Sequence, residues 1–334
     1  MWFIELMGFD ELNPNQVREN IEIDETHMTS KVNGQTYSFG RLEITSLEEL
    51  RKTVDFYQDS RRELNVSEVI GDVQHLHQLP ENSSALFQVA SQFNLLEMSS
   101  PNVTPEQGVG RYQYDKTQGP ACAISCGAGT IYRNYFTEVN SQIGQDASNQ
   151  IDTLEDLNIL LNNTGSALWD MKNGYALINN NESALRIKDQ LSALTNEEYE
   201  LIKSKIKIGI QWNTQVTLGN SGNFVSQAYC SALPIAYSNV SSEFAESFAR
   251  LILSSAYEST FLAAIKNYSI TGNNRVYLTL LGGGVFGNKI SWITEAIYDN
   301  LMKFKRFPLN VYIVSYSKTN VDVSEIIRKY YDEL

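Results

Sequence analysis

Along this chain the spacing of apolar positions switches repeatedly between a two-residue or continuous pattern and a helical one. Asn65 to Val73 and Ala85 to Phe93 read as strands. The second is apolar throughout at its start, which suits a strand covered on both faces. Residues 18–45 alternate through Ile21, Ile23, Met28, Val32 and Tyr37 around Asn33-Gly34, predicting an N-terminal β-hairpin. Ser46-Leu-Glu-Glu49 and Thr195-Asn-Glu-Glu198 are capping boxes, the first opening a helix through about Gln58. Val276 to Leu281 is a short β-rich run, after which Ile290, Ile293, Ile297 and Leu301 recur at helical spacing.

The middle of the chain is more polar. Thr137 to Asn163 patterns as a surface helix pair interrupted near Gly144. Turn residues from Asn162 to Asn181 surround one short strand, Tyr175 to Ile178. Lys205, Lys207, Gly209, Gln211 and Asn213 alternate with Ile206, Ile208, Ile210 and Trp212, predicting a strand with one wet face. Val225 to Tyr237 is a further strand, Glu243 to Lys266 a long amphipathic helix, Leu309 to Ser315 a last strand and Val321 to Tyr331 a final helix. Strands alternating with helices predict an α/β fold, a mixed and largely parallel sheet sandwiched by helices. The seven prolines are scattered and no repeat interrupts the chain, so one elaborated domain is expected. It divides into an extension at 1–64, a hairpin and helix packed on the core, and a core at 65–334 with helices inserted at about 137–200.

Between the strand ending at Leu281 and the helix opening near Ile290 lies Leu281-Gly-Gly-Gly-Val-Phe-Gly-Asn288. Glycines there remove every Cβ where backbone would approach a ligand, and a following helix start offers unpaired N–H groups and a positive dipole end. This is the architecture of a phosphate cradle. Gly282, Gly284 and Gly287 fit the dinucleotide fingerprint, but the next strand ends in Tyr316-Ser-Lys318 where an acidic residue should hold the ribose. The nucleotide-triphosphatase pattern fails too, because Asn288 intrudes before Lys289 and Ile290 stands near the magnesium-binding hydroxyl's place.

Composition narrows the partners. Across 334 residues, 39 acidic against 26 basic side chains give a formal charge of -13, which supplies no basic footprint for nucleic acid or anionic membranes. An anionic ligand would therefore rest on oriented backbone amides. No apolar run approaches membrane-spanning length and the N-terminus lacks a leader pattern, so an intracellular, cytoplasmic protein is expected. Three cysteines, Cys122, Cys126 and Cys230, and three histidines are not spaced for a disulfide framework or a zinc site, so no metal is expected.

Three segments in order carry a family resemblance. Val69-Ile-Gly-Asp-Val73 resembles the Gly-Asp-Ile of macrodomains, Val89-Ala-Ser-Gln-Phe-Asn94 resembles their Asn-Ala-Ala-Asn loop, and Gly283-Gly-Val-Phe-Gly287 resembles their second phosphate loop. Gln118-Gly-Pro-Ala-Cys-Ala123 and Cys230-Ser-Ala-Leu-Pro-Ile-Ala-Tyr237 are similar to an ADP-ribosyl-hydrolase subgroup found in eukaryotes and secreted bacterial effectors. The resemblance spans about residues 65–316 and departs at Gln92-Phe93 and at the first asparagine, replaced near Gln88 or Ser91. It implies a macrodomain-like three-layer sandwich that removes ADP-ribose from a modified protein without a cofactor, or a non-catalytic reader of ADP-ribose. The implied partner is an ADP-ribosylated protein, ubiquitin among the candidates.

Under that resemblance Asp72 reads the adenine amino group beside Val73. Gln88, Ser91 and Asn94 form the first loop, and Gly282, Gly283, Gly284, Val285, Phe286, Gly287 and Asn288 the second. Gln118, Gly119 and Ser125 add donors to ribose or diphosphate, and Arg133 is a candidate cation for phosphate. Cleaving the glycosidic bond needs a carboxyl near the anomeric carbon. Glu97, Glu106 and Asp115 lie in the stretch; Asp115, just before a Gly-Pro turn, is the first choice and Glu106 the second. A thiol nucleophile, Cys126 or Cys230, would need a histidine partner that no local pattern supplies.

Overall fold

The computed structural model describes residues 1–54 and 63–334; residues 55–58 of the first expected helix lie outside them. The chain opens with α1 (Trp2–Met7) and α2 (Pro14–Asn20), the latter capped by Asn13 with proline at its start. The expected hairpin gains a third strand: β1 (Ile21–Ile23), β2 (His27–Ser30) and β3 (Thr36–Ser38) form a small antiparallel sheet. The chain continues through β4 (Arg41–Ser46), α3 (Leu47–Thr53) with its Ser46–Glu49 capping box, β5 (Asn65–Ile70) and α4 (Val73–Gln78). Then come β6 (Leu86–Ala90), α5 (Gln118–Ser125) and α6 (Gly127–Tyr135).

The helix pair expected over 137–163 is not formed. Its place holds a hairpin of β7 (Glu138–Val139) and β8 (Gln142–Ile143), a loop, and one short helix, α7 (Glu155–Leu160). Asn140 and Ser141 sit at φ 49° and 65°. The Asp146 carboxylate takes the Ser148 and Asn149 N–H groups at 2.8 and 2.9 Å, so short polar side chains bind backbone that a helix would have used. Two strands rather than one follow, β9 (Trp169–Lys172) and β10 (Tyr175–Ile178), turning at Asn173-Gly174 where both φ angles are positive, 47° and 78°. Next are α8 (Asn181–Ser192), α9 (Asn196–Ser204) with the Thr195–Glu198 box, β11 (Lys207–Gln215) and β12 (Phe224–Cys230). The chain ends with α10 (Ser242–Thr271), β13 (Arg275–Leu278), α11 (Ile290–Lys303), β14 (Asn310–Ser315) and α12 (Val321–Asp332).

Seven strands build the central sheet in the order β4-β11-β12-β6-β13-β14-β5. The last five are parallel, and β11 runs antiparallel to both neighbours. Because β4 is an edge strand of this sheet, the division expected at residue 64 cuts across the core. Alternate residues of β6 show the layering: Leu86 packs with α10 and α11 residues, whereas Phe87 and Val89 pack with α4 and Cys122 of α5. The fold is thus a three-layer α/β sandwich with a mixed sheet. The wet face expected on β11 survives at its ends, where Asn213 is exposed and Lys205 and Lys207 are half-buried, but is covered at its centre: Gln211 is fully buried, donating to the Phe39 carbonyl at 2.6 Å and accepting from Arg133 at 3.4 Å.

Candidate functional site

All five parallel strands end at one edge, and the segments that follow them enclose a single cavity of about 1160 Å³. Gly71-Asp72 follows β5, Ser91-Gln92 β6, Ala232 β12, Thr279 to Gly282 β13, and Tyr316 β14. Carboxyl ends of parallel strands are where open α/β sheets hold ligands, and the volume admits a nucleotide-sized one.

The most deeply buried carboxyl of the lining is Glu97. After β6 the chain folds back, the Gln92 carboxamide accepting from the Met98 N–H at 2.8 Å and donating to its carbonyl at 3.2 Å. Between these anchors the Glu97 N–H donates to the Tyr112 hydroxyl at 2.9 Å. The Glu97 side chain lines the cavity, is 3% exposed, and its Oε1 has no hydrogen-bond partner. Burial pushes its pKa well above the usual carboxylate range; the Arg133 charge opposes the shift and Asp115 reinforces it. Tyr112 is held in turn from the N-terminal segment. The Glu11 carboxyl takes the Val109 and Gly110 N–H groups at 2.9 and 2.6 Å and the Tyr135 hydroxyl at 2.7 Å.

The start of α5 stands against this carboxyl. A Cβ on Gly119 would lie 1.9 Å from the Ala90 carbonyl oxygen and 2.5 Å from Glu97 Oε2, so only glycine allows the approach. Gln118 fastens the same turn to the sheet edge, accepting from the Ala90 N–H and donating to the Gln88 carbonyl, both at 2.9 Å. The first-turn N–H groups of a helix lack intrahelical partners and carry its positive dipole end.

The opposite wall is the glycine loop. Gly282 has φ 71°, and its carbonyl accepts from the Asn288 N–H at 3.0 Å while the Asn288 amide reaches the Leu233 carbonyl at 2.9 Å. Gly282, Gly284, Val285 and Phe286 line the cavity; Gly283 and Gly287 face solvent outside the lining, and Asn288 is buried beneath the loop. A Cβ on Gly284 would meet nothing within 4 Å, so its bareness opens onto the cavity. The helix that follows, α11, starts outside the lining residues, and α5 supplies the helix terminus expected there. Tyr175, Tyr237 and Phe286 form an aromatic wall with ring centroids 5.1 to 5.9 Å apart.

Of the other expected residues, Asp72, Val73, Ser91 and Asp115 line the cavity. Asp72 caps α4 through the Gln74 N–H at 2.8 Å, and Asp115 accepts from the Thr117 N–H and hydroxyl at 2.9 and 2.7 Å. Four expected residues are elsewhere. Glu106 lies outside the lining and accepts from the Ala147 N–H at 3.0 Å, so the second-choice acid braces a loop. Gln88 is buried in the sheet between Thr260 at 2.8 Å and the Thr279 N–H at 3.2 Å. Asn94 is fully buried, bonded to Gln150 at 2.8 Å, and Ser125 returns its hydroxyl to Ala121 of its own helix at 3.0 Å.

Arg133 reaches no phosphate site either. It is buried on the Leu95 carbonyl at 3.1 Å and over the Tyr229 ring at 3.6 Å. The thiols are buried, burial pushing Cys230 up to about 12 and Cys126 further, and neither has a histidine contact. Among the described residues no three His, Cys, Asp or Glu side chains cluster as metal ligands, and no helix is long and apolar enough to cross a membrane. Sequence reasoning underweighted Glu97, whose signal was a lone carboxylate inside Leu95-Leu96-Glu97-Met98. Tyr237 closed a segment of the family resemblance without being singled out, and Tyr175, Trp2 and Gln113 carried no signal at all.

No protein-family model matches the chain, and neither does any curated protein sequence. Among solved structures, it is similar to poly(ADP-ribose) glycohydrolase from Deinococcus radiodurans in complex with ADP-ribose, at 11% identity and a TM-score of 0.46 over 87% of this chain and 94% of that one. The enzyme of the same name from Thermomonospora curvata aligns at 10% identity and a TM-score of 0.44 over 95% and 97% of the two chains.

Proposed function

We propose that this chain hydrolyses the bond joining ADP-ribose to a protein side chain. The observation that carries the reading is Glu97, an unpartnered carboxyl buried against Gly119 of α5 in the lining of a nucleotide-sized cleft, with its pKa pushed well above the usual carboxylate range by burial. Lys116 and Lys318 are the cations among the described lining residues, so the diphosphate rests on amides of the Gly282–Gly284 loop and the α5 first turn. Asp72 faces the adenine end, and Tyr237 and Phe286 lie along the sugar or base.

In the reaction Glu97 gives its proton to the departing side-chain atom as the anomeric bond breaks through an oxocarbenium-like state. Water bonds to the anomeric carbon and passes its proton to the Asp115 carboxylate. Free ADP-ribose and the unmodified side chain leave, and both carboxyls recover their proton states through solvent. Asp115, the sequence's first-choice carboxyl, thus acts as the base, and Glu97 supplies the acid.

The test pairs calorimetric titration of ADP-ribose with an assay of its release from a mono-ADP-ribosylated protein. Glu97→Gln keeps affinity and loses about 10²–10⁴ in turnover. A wild-type chain that binds but never releases is a reader, and one that fails to bind at millimolar ligand defeats the site.

A further inference from the structure

One end of the cavity is closed by the N-terminal helix. Trp2 lines it, set edge-to-face on Phe3 with centroids 5.9 Å apart and lying over Gly127, where a Cβ would meet its ring at 2.8 Å. The turn that α1 packs against carries Gln113, which also lines the cavity. The Trp2 indole Nε1 and the Gln113 amide Nε2 are both buried without any hydrogen-bond partner. Buried N–H groups are rarely left unmade. Two donors with no acceptor call for an oxygen, and Ile124 and Leu218 give the corner apolar sides. Gln113 follows Tyr112, whose hydroxyl accepts from the Glu97 N–H, and Trp2, Gln113 and Glu97 line the same cavity.

We propose that Trp2 and Gln113 form the leaving-group subsite, donating to a peptide carbonyl oxygen of the modified protein; this rests on the hydrolase reading above. A peptide fits better than the next unit of a polymer. The corner's two donors are neutral and its sides apolar, and the neighbouring lining sets a single Lys116 beside the Asp115 carboxylate, so a second diphosphate would be left short of positive charge.

The test uses Trp2→Phe, which keeps the ring and removes the N–H, alone and with Gln113→Ala. Free ADP-ribose is titrated calorimetrically, and turnover is measured on a mono-ADP-ribosylated peptide and on ADP-ribose polymer. The expected result is ADP-ribose affinity within about twofold of wild type and a KM for the modified peptide raised about tenfold by the double variant, each lost hydrogen bond contributing roughly threefold. Unfolding midpoints accompany each variant, and should the double variant not fold, Trp2→Phe alone must still raise the peptide KM about threefold. An unchanged peptide KM, a parallel loss of ADP-ribose affinity, or a larger effect on the polymer overturns the subsite while leaving the hydrolase intact. A wild-type chain with neither affinity nor release sinks the parent reading and the subsite together.

Discussion

Gly119→Ala tests the geometry on which the site is built. The new Cβ would stand 1.9 Å from a backbone oxygen, Ala90 O, and 2.5 Å from Glu97 Oε2. Restoring an ordinary contact near 3.4 Å means moving α5 and the β6 end apart by about 1.5 Å. The oxygen cannot swing aside, because Ala90 and Ser91 are held by Gln118 and by the Cys230 carbonyl, both at 2.9 Å. Overpacking of this kind costs about 1–3 kcal/mol, partly offset by the ~0.5–1 kcal/mol that alanine gains over glycine inside a helix. A net loss of about 1–2 kcal/mol in urea unfolding is expected. Turnover should fall further, roughly 10²-fold, since a displacement near 1 Å is enough to spoil a catalytic alignment. Gly284→Ala is the matched control: its Cβ meets nothing within 4 Å, so stability should be unchanged while ADP-ribose affinity drops as the methyl enters the ligand's space. A Gly119→Ala protein as stable and active as wild type would refute the packing argument.

Three other outcomes follow from buried charges. Glu258 is 2% exposed and receives Arg51 at 2.7 Å, Lys303 at 2.6 Å and Lys203 at 3.1 Å; burial alone would raise its pKa, but these partners hold it at about 2. Glu258→Gln leaves the buried Lys203 with only the half-exposed Glu200, at 2.6 Å, and should cost about 3 kcal/mol in urea unfolding at neutral pH; a loss under 1 kcal/mol would show the network to be neutral. Two buried groups contribute to the acid limb: Glu258's share is complete above pH 4.5 and lost as pH falls toward 2, and His77's is complete above 6.5 and lost as pH falls toward 4, where burial places its pKa. His77→Gln should therefore flatten the stability curve between those two values, and an unchanged slope argues against a neutral, buried imidazole. Glu97 has the opposite sign, its stabilising share present below the ordinary carboxylate pKa and lost as pH rises through its higher folded value. Glu97→Gln should then gain stability over wild type between pH 5 and pH 8, and a constant difference would mean the carboxyl is not desolvated.

Period and capping carried most of the layer structure, because a capping box or an apolar run is decided within a few residues. Ser46–Glu49 and Thr195–Glu198 form the reciprocal bonds their spacing implies, and β6, β13 and β14 fall within a few residues of the apolar runs. The polar middle failed for a reason equally local, since asparagine and aspartate there bind backbone and take left-handed conformations that helical periodicity ignores. What could not be read was which helix start would face the strand ends. The glycines before α11 and the Gly119 of α5 look alike in sequence, but only a neighbouring strand's carbonyl, thirty places away, makes one of them indispensable to the cleft.

That single contact also ties the acid to the anion. Removing water from Glu97 pushes its pKa upward, and the same closeness of α5 brings a positive helix end beside the spot where a diphosphate would sit. A wider gap would hydrate the carboxyl, lower its pKa and leave an anion next to an anionic ligand. Protonated acid and bound diphosphate are therefore compatible only while α5 stays against β6. The Gly119→Ala protein should accordingly show the alkaline limb of its pH–rate profile, where Glu97 loses its proton, shifted to lower pH, not merely a lower rate, and an unshifted limb would separate the two effects.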